Sequence, residues 1–248
     1  GMGSLAANTT ASNNTAVGQS ALSLNTTGAN NTAIGYRALL ANTTAEGNTG
    51  IGLDSLVSNT TGYRNVAVGK ETLNKNTTGI QNTAMGNNAL ELNTTGAQNT
   101  AYGYFTLGVA TTSPSNTAVG YATLSAVTTG SGLNTAMGYR AGLNTTTGRN
   151  NSIFGQDAGY FYTTGVYNTF VGSEAGRGAS GASTGNNNTA LGYAAGYSLT
   201  AGGNNSYIGQ FAGFTTNTGA SNVGLGSYAL RYNTSGSNNT AVGNSALT

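Results

Sequence analysis

The chain has 248 residues, of which 6% are charged, with a net charge of +2, forty glycines, no cysteine and no histidine. These counts exclude disulfides, thiolate chemistry, imidazole metal sites and Ser/His/Asp catalysis. They also leave no basic cluster for nucleic acid, and no apolar run approaches the length of a membrane span.

In chain order, Gly1-Met2-Gly3-Ser4 reads as a tag remnant, and residues 1–13 as that remnant plus an N-terminal cap or partial repeat. At residue 14 the stretch Asn14-Thr15-Ala16-Val17-Gly18 begins, and it returns to the end of the chain. Its closing glycines are Gly18, Gly35, Gly52, Gly69, Gly86, Gly103, Gly120, Gly138, Gly155, Gly172, Gly192, Gly209, Gly226 and Gly243. Successive gaps are 17 residues, except 18 from Gly120 to Gly138 and 20 from Gly172 to Gly192. A fixed period of this size marks a chain that stacks one small unit on the next. Residues 14–248 therefore read as one repeat domain, with an insertion loop at 178–185. The chain stops partway through its fourteenth unit, which reads as a C-terminal truncation.

Counted from each closing glycine as zero, position −4 is Asn in every copy. Position −3 is Thr or Ser, except Val66 and Val223; −2 is mostly Ala; −1 is always apolar. A short run opened by Asn, closed by Gly and rich in β-branched residues predicts a strand. Strand alternation then places −3 and −1 on one face and −4 and −2 on the other. Because Val66 and Val223 replace Thr without disturbing the period, the −3/−1 face is expected to point inward.

Downstream, +2 carries Arg37, Asp54, Glu71, Arg140, Asp157 and Glu174, so it is expected to face water. Position +3 is small. Position +4 is Leu in copies one to seven and in the last two, and Gly in copies eight to twelve. If this segment is extended, +3 points inward and Leu +4 outward; a single helical turn is the alternative. Asn-Thr-Thr-Gly, as at Asn25 to Gly28, then supplies the return turn, because Asn and Gly tolerate left-handed backbone.

The fold expected is all-β: a parallel β-solenoid or β-roll of fourteen 17-residue turns. Its structural ladder is the −4 column of Asn14, Asn31, Asn48, Asn65, Asn82, Asn99, Asn116, Asn134, Asn151, Asn168, Asn188, Asn205, Asn222 and Asn239. Each amide there can bond to those above and below, whereas Asp would stack like charges. Arg37 falls one turn from Asp54 and Arg140 one turn from Asp157; as exposed pairs these would contribute about 0.2–1 kcal/mol each. Thr, one Val-class residue and Ala per turn make a thin core for a chain without disulfides or metal. An outward Leu stripe would be covered if three rolls packed side by side, so a homotrimer is expected.

The strand signature resembles the head repeats of trimeric autotransporter adhesins. With x-x-Ala-Leu and Asn-Thr-Thr-Gly added, residues 14–248 also look like the longer repeats of phage tail fibres and bacterial surface proteins. The period of 17 departs from the 14 of the autotransporter heads. The resemblance implies an extracellular, homotrimeric, adhesive or structural fibre on a virion or bacterial surface, with a host glycan or protein as receptor.

Nothing in the chain proposes a reaction, a cofactor or a metal centre, so no enzyme is expected. Asp54 and Glu71 fall on adjacent turns, but a solvated face beside Lys70 accounts for them better than paired acid–base catalysis. The rival function is direct binding of ice or glycan. Ice would use the Thr-Thr columns, such as Thr26-Thr27 and Thr43-Thr44. Glycan would use the aromatic-rich 160–214 stretch, where Tyr160, Phe161, Tyr162, Tyr197 and Phe214 are candidate receptor or subunit contacts.

Overall fold

The computed structural model describes every residue except Ser131 and Ala182. Two compact units are present: Gly1–Val119 with Thr128–Gly130, and Gly120–Val127 with Ser131–Thr248. The first carries β1 (Thr15–Val17), β2 (Thr32–Ile34), β3 (Thr49–Ile51), β4 (Val66–Val68), β5 (Thr83–Met85), β6 (Thr100–Tyr102) and β7 (Thr117–Val119). The second carries β8 (Thr135–Met137), β9 (Ser152–Phe154), β10 (Thr169–Val171), β11 (Thr189–Leu191), β12 (Ser206–Ile208), β13 (Val223–Leu225) and β14 (Thr240–Val242). Within each unit the strands pair in sequence order, parallel and in register, so that Thr15 faces Thr32 and Thr135 faces Ser152. The chain is an all-β parallel solenoid, with one three-residue strand per coil and no helix among the described residues.

The strand faces are the reverse of the sequence expectation. Ala33, Ala67, Ala84 and Ala101 at −2 are fully buried, as are Asn31, Asn48, Asn65 and Asn82 at −4. The −3 and −1 residues are the outward set: Val17, Ile34 and Tyr102 are exposed, and Thr32, Thr49 and Val66 are half-buried. Thr-to-Val exchange at −3 is thus tolerance of a surface position. It gives no information about direction, because a half-exposed strand face accepts either residue.

Position +4 is also corrected. Leu22, Leu39, Leu56, Leu73, Leu90, Leu107 and Leu124 are fully buried, and so are the +3 residues beside them, such as Ala21, Ala38, Ser55 and Thr72. Two neighbours can both face inward because the segment is neither strand nor helix. Its +2 and +4 residues adopt left-handed backbone, as at Arg37 (φ 53°) and Leu39 (φ 52°), which breaks the alternation. Left-handed geometry costs a non-glycine residue about 1–2 kcal/mol. Here it aims backbone donors at the next coil, as in Leu39 N–H to Ser55 C=O at 3.0 Å. It also buries a leucine, worth about 1.5–3 kcal/mol. The Leu stripe that called for three packed rolls is therefore the core of a single chain.

In the second unit the core volume moves from +4 to −2 and +7. Where +4 is Gly142, Gly159, Gly176, Gly196 or Gly213, the interior holds Ile153, Phe170, Leu199 and Tyr207, all buried. A Cβ on Gly213 would lie 2.5 Å from the Tyr207 ring, and one on Gly142 3.1 Å from Ile153 Cδ1. The Leu-to-Gly switch makes room inside the coil, to near-constant packing density. The Tyr207 hydroxyl is satisfied by Thr216 Oγ1 at 3.2 Å.

The +2 charges are not uniformly in water. Asp54 and Asp157 are 8% and 5% exposed. Each receives a two-pronged bond: Arg37 Nε and Nη2 at 2.8 and 2.6 Å on Asp54, and Arg140 Nε and Nη2 both at 2.8 Å on Asp157. These planar, bidentate pairs are more directional than ordinary surface ion pairs, and one lies in each unit.

Candidate functional site: ladders, aromatic stacks and the strand face

Polar groups recur in columns because the coils are in register. In the −4 column of each unit, Asn Oδ1 accepts the backbone N–H of the Asn one coil later: Asn48 from Asn65 and Asn65 from Asn82 at 2.9 Å, Asn82 from Asn99 at 3.0 Å. Nδ2 donates to its own coil's +10 carbonyl, as in Asn82 to Gly96 at 2.8 Å, and so closes the turn. In the second unit Asn151, Asn168, Asn188, Asn205 and Asn222 repeat this arrangement. Asn14 and Asn239, in the first and last coils, are half-buried, while the other twelve are buried. A side-chain amide supplies the acceptor and the donor on two separate atoms, as these two bonds require.

A second amide ladder runs through the Asn-Thr-Thr-Gly segment, for which the sequence predicts turn chemistry alone. At +7, Asn25, Asn42, Asn59, Asn76 and Asn93 are fully buried. Nδ2 of each of the last four reaches Oδ1 of the one before at 2.7–3.0 Å. The signal was available: +7 is Asn in the first five copies that have the leucine, and it becomes Ala110, Val127 and Thr145 afterwards. A turn residue required only for its backbone would not change to Val.

Replacing Asn82 by Ala should leave the buried Asn99 N–H without a partner and the Gly96 carbonyl with only the Asn93 amide of its two donors. At about 1–3 kcal/mol for an orphaned group, the loss should exceed that of a surface change several-fold. Asn82→Asp should be worse, since it brings a buried charge and removes the donor. Urea melts of the two variants beside Asn87→Ala, an exposed Asn, check this. Equal midpoints for all three would show that the −4 amides carry no load.

Asp54 and Glu71 are each engaged by a different neighbour. Asp54 is held by Arg37, while Glu71 lies 3.4 Å from Lys70 Nζ and accepts from Asn88 at 3.1 Å. Hydrogen bonding to Asp54 raises the Arg37 pKa above its ordinary value, and Asp157 does the same to Arg140. Both changes keep the pairs charged. Among the described residues there is no group of three His, Cys, Asp or Glu able to hold a metal ion, and no helix long and apolar enough to cross a membrane.

Of the aromatic candidates, Tyr162 is buried and stands edge-on to Phe170 at 4.7 Å; burial pushes its phenol pKa upward. It cannot touch a receptor. Tyr160, Phe161, Tyr197 and Phe214 are half-buried at the surface. Tyr160 lies between the guanidinium groups of Arg140 (4.9 Å) and Arg177 (5.5 Å). Arg177 also covers Phe161 at 5.1 Å and Tyr197 at 5.3 Å, and Tyr197 stacks on Phe214 at 4.9 Å. Sugar stacking needs a free ring face, and part of the surface of these rings is taken by contacts within the chain.

The Thr-Thr columns are also partly consumed. Hydroxyls at +8 donate to the +8 carbonyl of the next coil, as in Thr60 to Thr77 at 3.0 Å and Thr77 to Thr94 at 3.1 Å. The outward −3 hydroxyls differ: Thr15, Thr32, Thr49, Thr83 and Thr100 make no side-chain hydrogen bond within the described chain. The −3 and −1 columns contain no charged residue in any of the fourteen coils.

Comparison with protein families, curated proteins and solved structures returns no match. The class this chain falls in is thus set by its own geometry: a parallel β-solenoid whose interior carries amide ladders.

Proposed function

We propose that the chain is a non-catalytic structural segment of an extracellular adhesive fibre, of the phage tail or bacterial surface kind, giving reach and rigidity for surface attachment. The observation that carries this reading is the pair of amide ladders. They commit the buried side-chain amides to holding one coil on the next, and among the described residues no three His, Cys, Asp or Glu come together. In-register ladders of this type resist sliding and twisting, as a spacer requires. A homotrimer would have to use the strand face or another outer column, since the leucines are internal.

Hydrogen exchange tests the rigidity. Strand amides of β3 to β6 and of β9 to β12 should exchange at least a hundred-fold more slowly than those of β1 and β14, because inner coils open only when their neighbours do. Uniformly fast exchange along the chain would rule out a load-bearing spacer.

A further inference from the structure

We infer that the outward strand face of the first unit, over β1 to β5, binds the surface of ice. The face is built from two columns. One carries the hydroxyls of Thr15, Thr32, Thr49 and Thr83, with Val66 in the fourth coil; the other runs from Val17 to Met85 and is wholly aliphatic up to its terminal thioether. Past β5 the aliphatic column gives way to Tyr102.

The features that suit ordered water are those that suit few other partners. No charge lies in either column, so nucleic acid and anionic lipid have nothing to bind. The −3 hydroxyls are outward and unpartnered within the chain. Packing them dry against a second copy would orphan them at about 1–3 kcal/mol each, unless each met a new partner. Against water they keep their hydrogen bonds while the neighbouring methyl groups order the solvent between them. The ladders fix these groups before contact, so little side-chain or backbone entropy is lost on binding.

Spacing supports the assignment and sets its extent. Water oxygens about 2.7–2.8 Å apart, joined at the tetrahedral angle, place next-nearest oxygens about 4.5 Å apart. Neighbouring strands place equivalent hydroxyls about 4.8 Å apart. The mismatch of about 0.3 Å per coil grows to about 1.2 Å across five strands, still well under half a lattice repeat. A short run of regular coils is therefore the natural size of the site. This differs from the +8/+9 threonine columns, whose +8 hydroxyls already bond to backbone.

The full chain should show thermal hysteresis at micromolar concentration and should partition into a slowly growing ice hemisphere. Thr32→Lys with Thr49→Lys should reduce the hysteresis at least ten-fold. Thr44→Lys with Thr61→Lys, in the exposed +9 column, should leave it unchanged. If the lysine pair perturbs the circular dichroism spectrum, Thr32→Ala with Thr49→Ala replaces it and must also lower the hysteresis. The inference is overturned by a wild-type chain without hysteresis, or by strand-face variants that retain it. It is also overturned if light scattering finds a multimer that the Thr32/Thr49 lysines dissociate, because a second copy then occupies the face. The fibre reading does not depend on these results; it rests on the exchange experiment.

Discussion

Leu73→Asp should abolish folding of the first unit, and Leu73→Ala should destabilise it by about 2–5 kcal/mol. Leu73 is fully buried between Leu56 and Leu90, which occupy the same position one coil before and after and are buried too. Aspartate tolerates left-handed backbone better than most residues, so the φ of 51° at this position is no obstacle to it. What it cannot tolerate is burial in the column of leucines. Desolvating a lone carboxylate costs more than a domain's entire margin of stability, unless the group takes up a proton. Lys75→Gln, two residues on and exposed, should change the urea midpoint by no more than about 0.5 kcal/mol equivalent. Far-UV circular dichroism and urea titration of the three variants decide the matter. A cooperative, near-native melt for Leu73→Asp would mean that the stripe faces water or another subunit after all.

That stripe shows where the sequence was legible and where it was not. The period, the strand at −3 to −1 and the parallel stacking followed from the recurrence of Asn-Thr-Ala-Val-Gly, because identical residues at a fixed spacing have one economical arrangement. Direction did not follow. Alternation sorts −4 and −2 from −3 and −1 but does not say which pair is inside. The answer lay in the Asn at −4: an invariant amide is needed only where its hydrogen bonds cannot be replaced by water, and that means inside. The +2 to +4 segment defeated alternation altogether, since left-handed backbone at ordinary residues such as Arg37 and Leu39 has no sequence marker comparable to glycine. Among the aromatic candidates, Tyr162 alone is buried, and nothing in the sequence sets it apart from Tyr160 and Phe161 beside it. Tyr160 and Tyr197 hold the same position two coils apart, and how much of each ring is covered depends on Arg140 and Arg177 in the neighbouring coils.

The column of closing glycines carries the second large effect. Gly69→Ala should destabilise the first unit by about 2–6 kcal/mol, combining left-handed strain of about 1–3 kcal/mol with overpacking of about 1–3 kcal/mol. Gly69 has φ +134°, and a Cβ there would lie 2.6 Å from the Gly86 carbonyl oxygen and 2.8 Å from its carbon. Those are backbone atoms, and they cannot turn aside as a side chain would. Gly86 is itself tied down, its N–H donating to Val68 C=O at 2.8 Å, so relief would require the two coils to separate. Gly243 provides the comparison. Its φ of +124° imposes a similar strain, but nothing lies within 4 Å of an added Cβ. Gly243→Ala should therefore cost only the strain, about 1–3 kcal/mol at most. Urea titration measures the pair, and hydrogen exchange at β4 and β5 localises the damage: Gly69→Ala should accelerate exchange there, while Gly243→Ala should not. Equal losses for the two variants would mean that backbone angle alone selects glycine. The close approach of one coil to the next would then play no part in making the residue invariant.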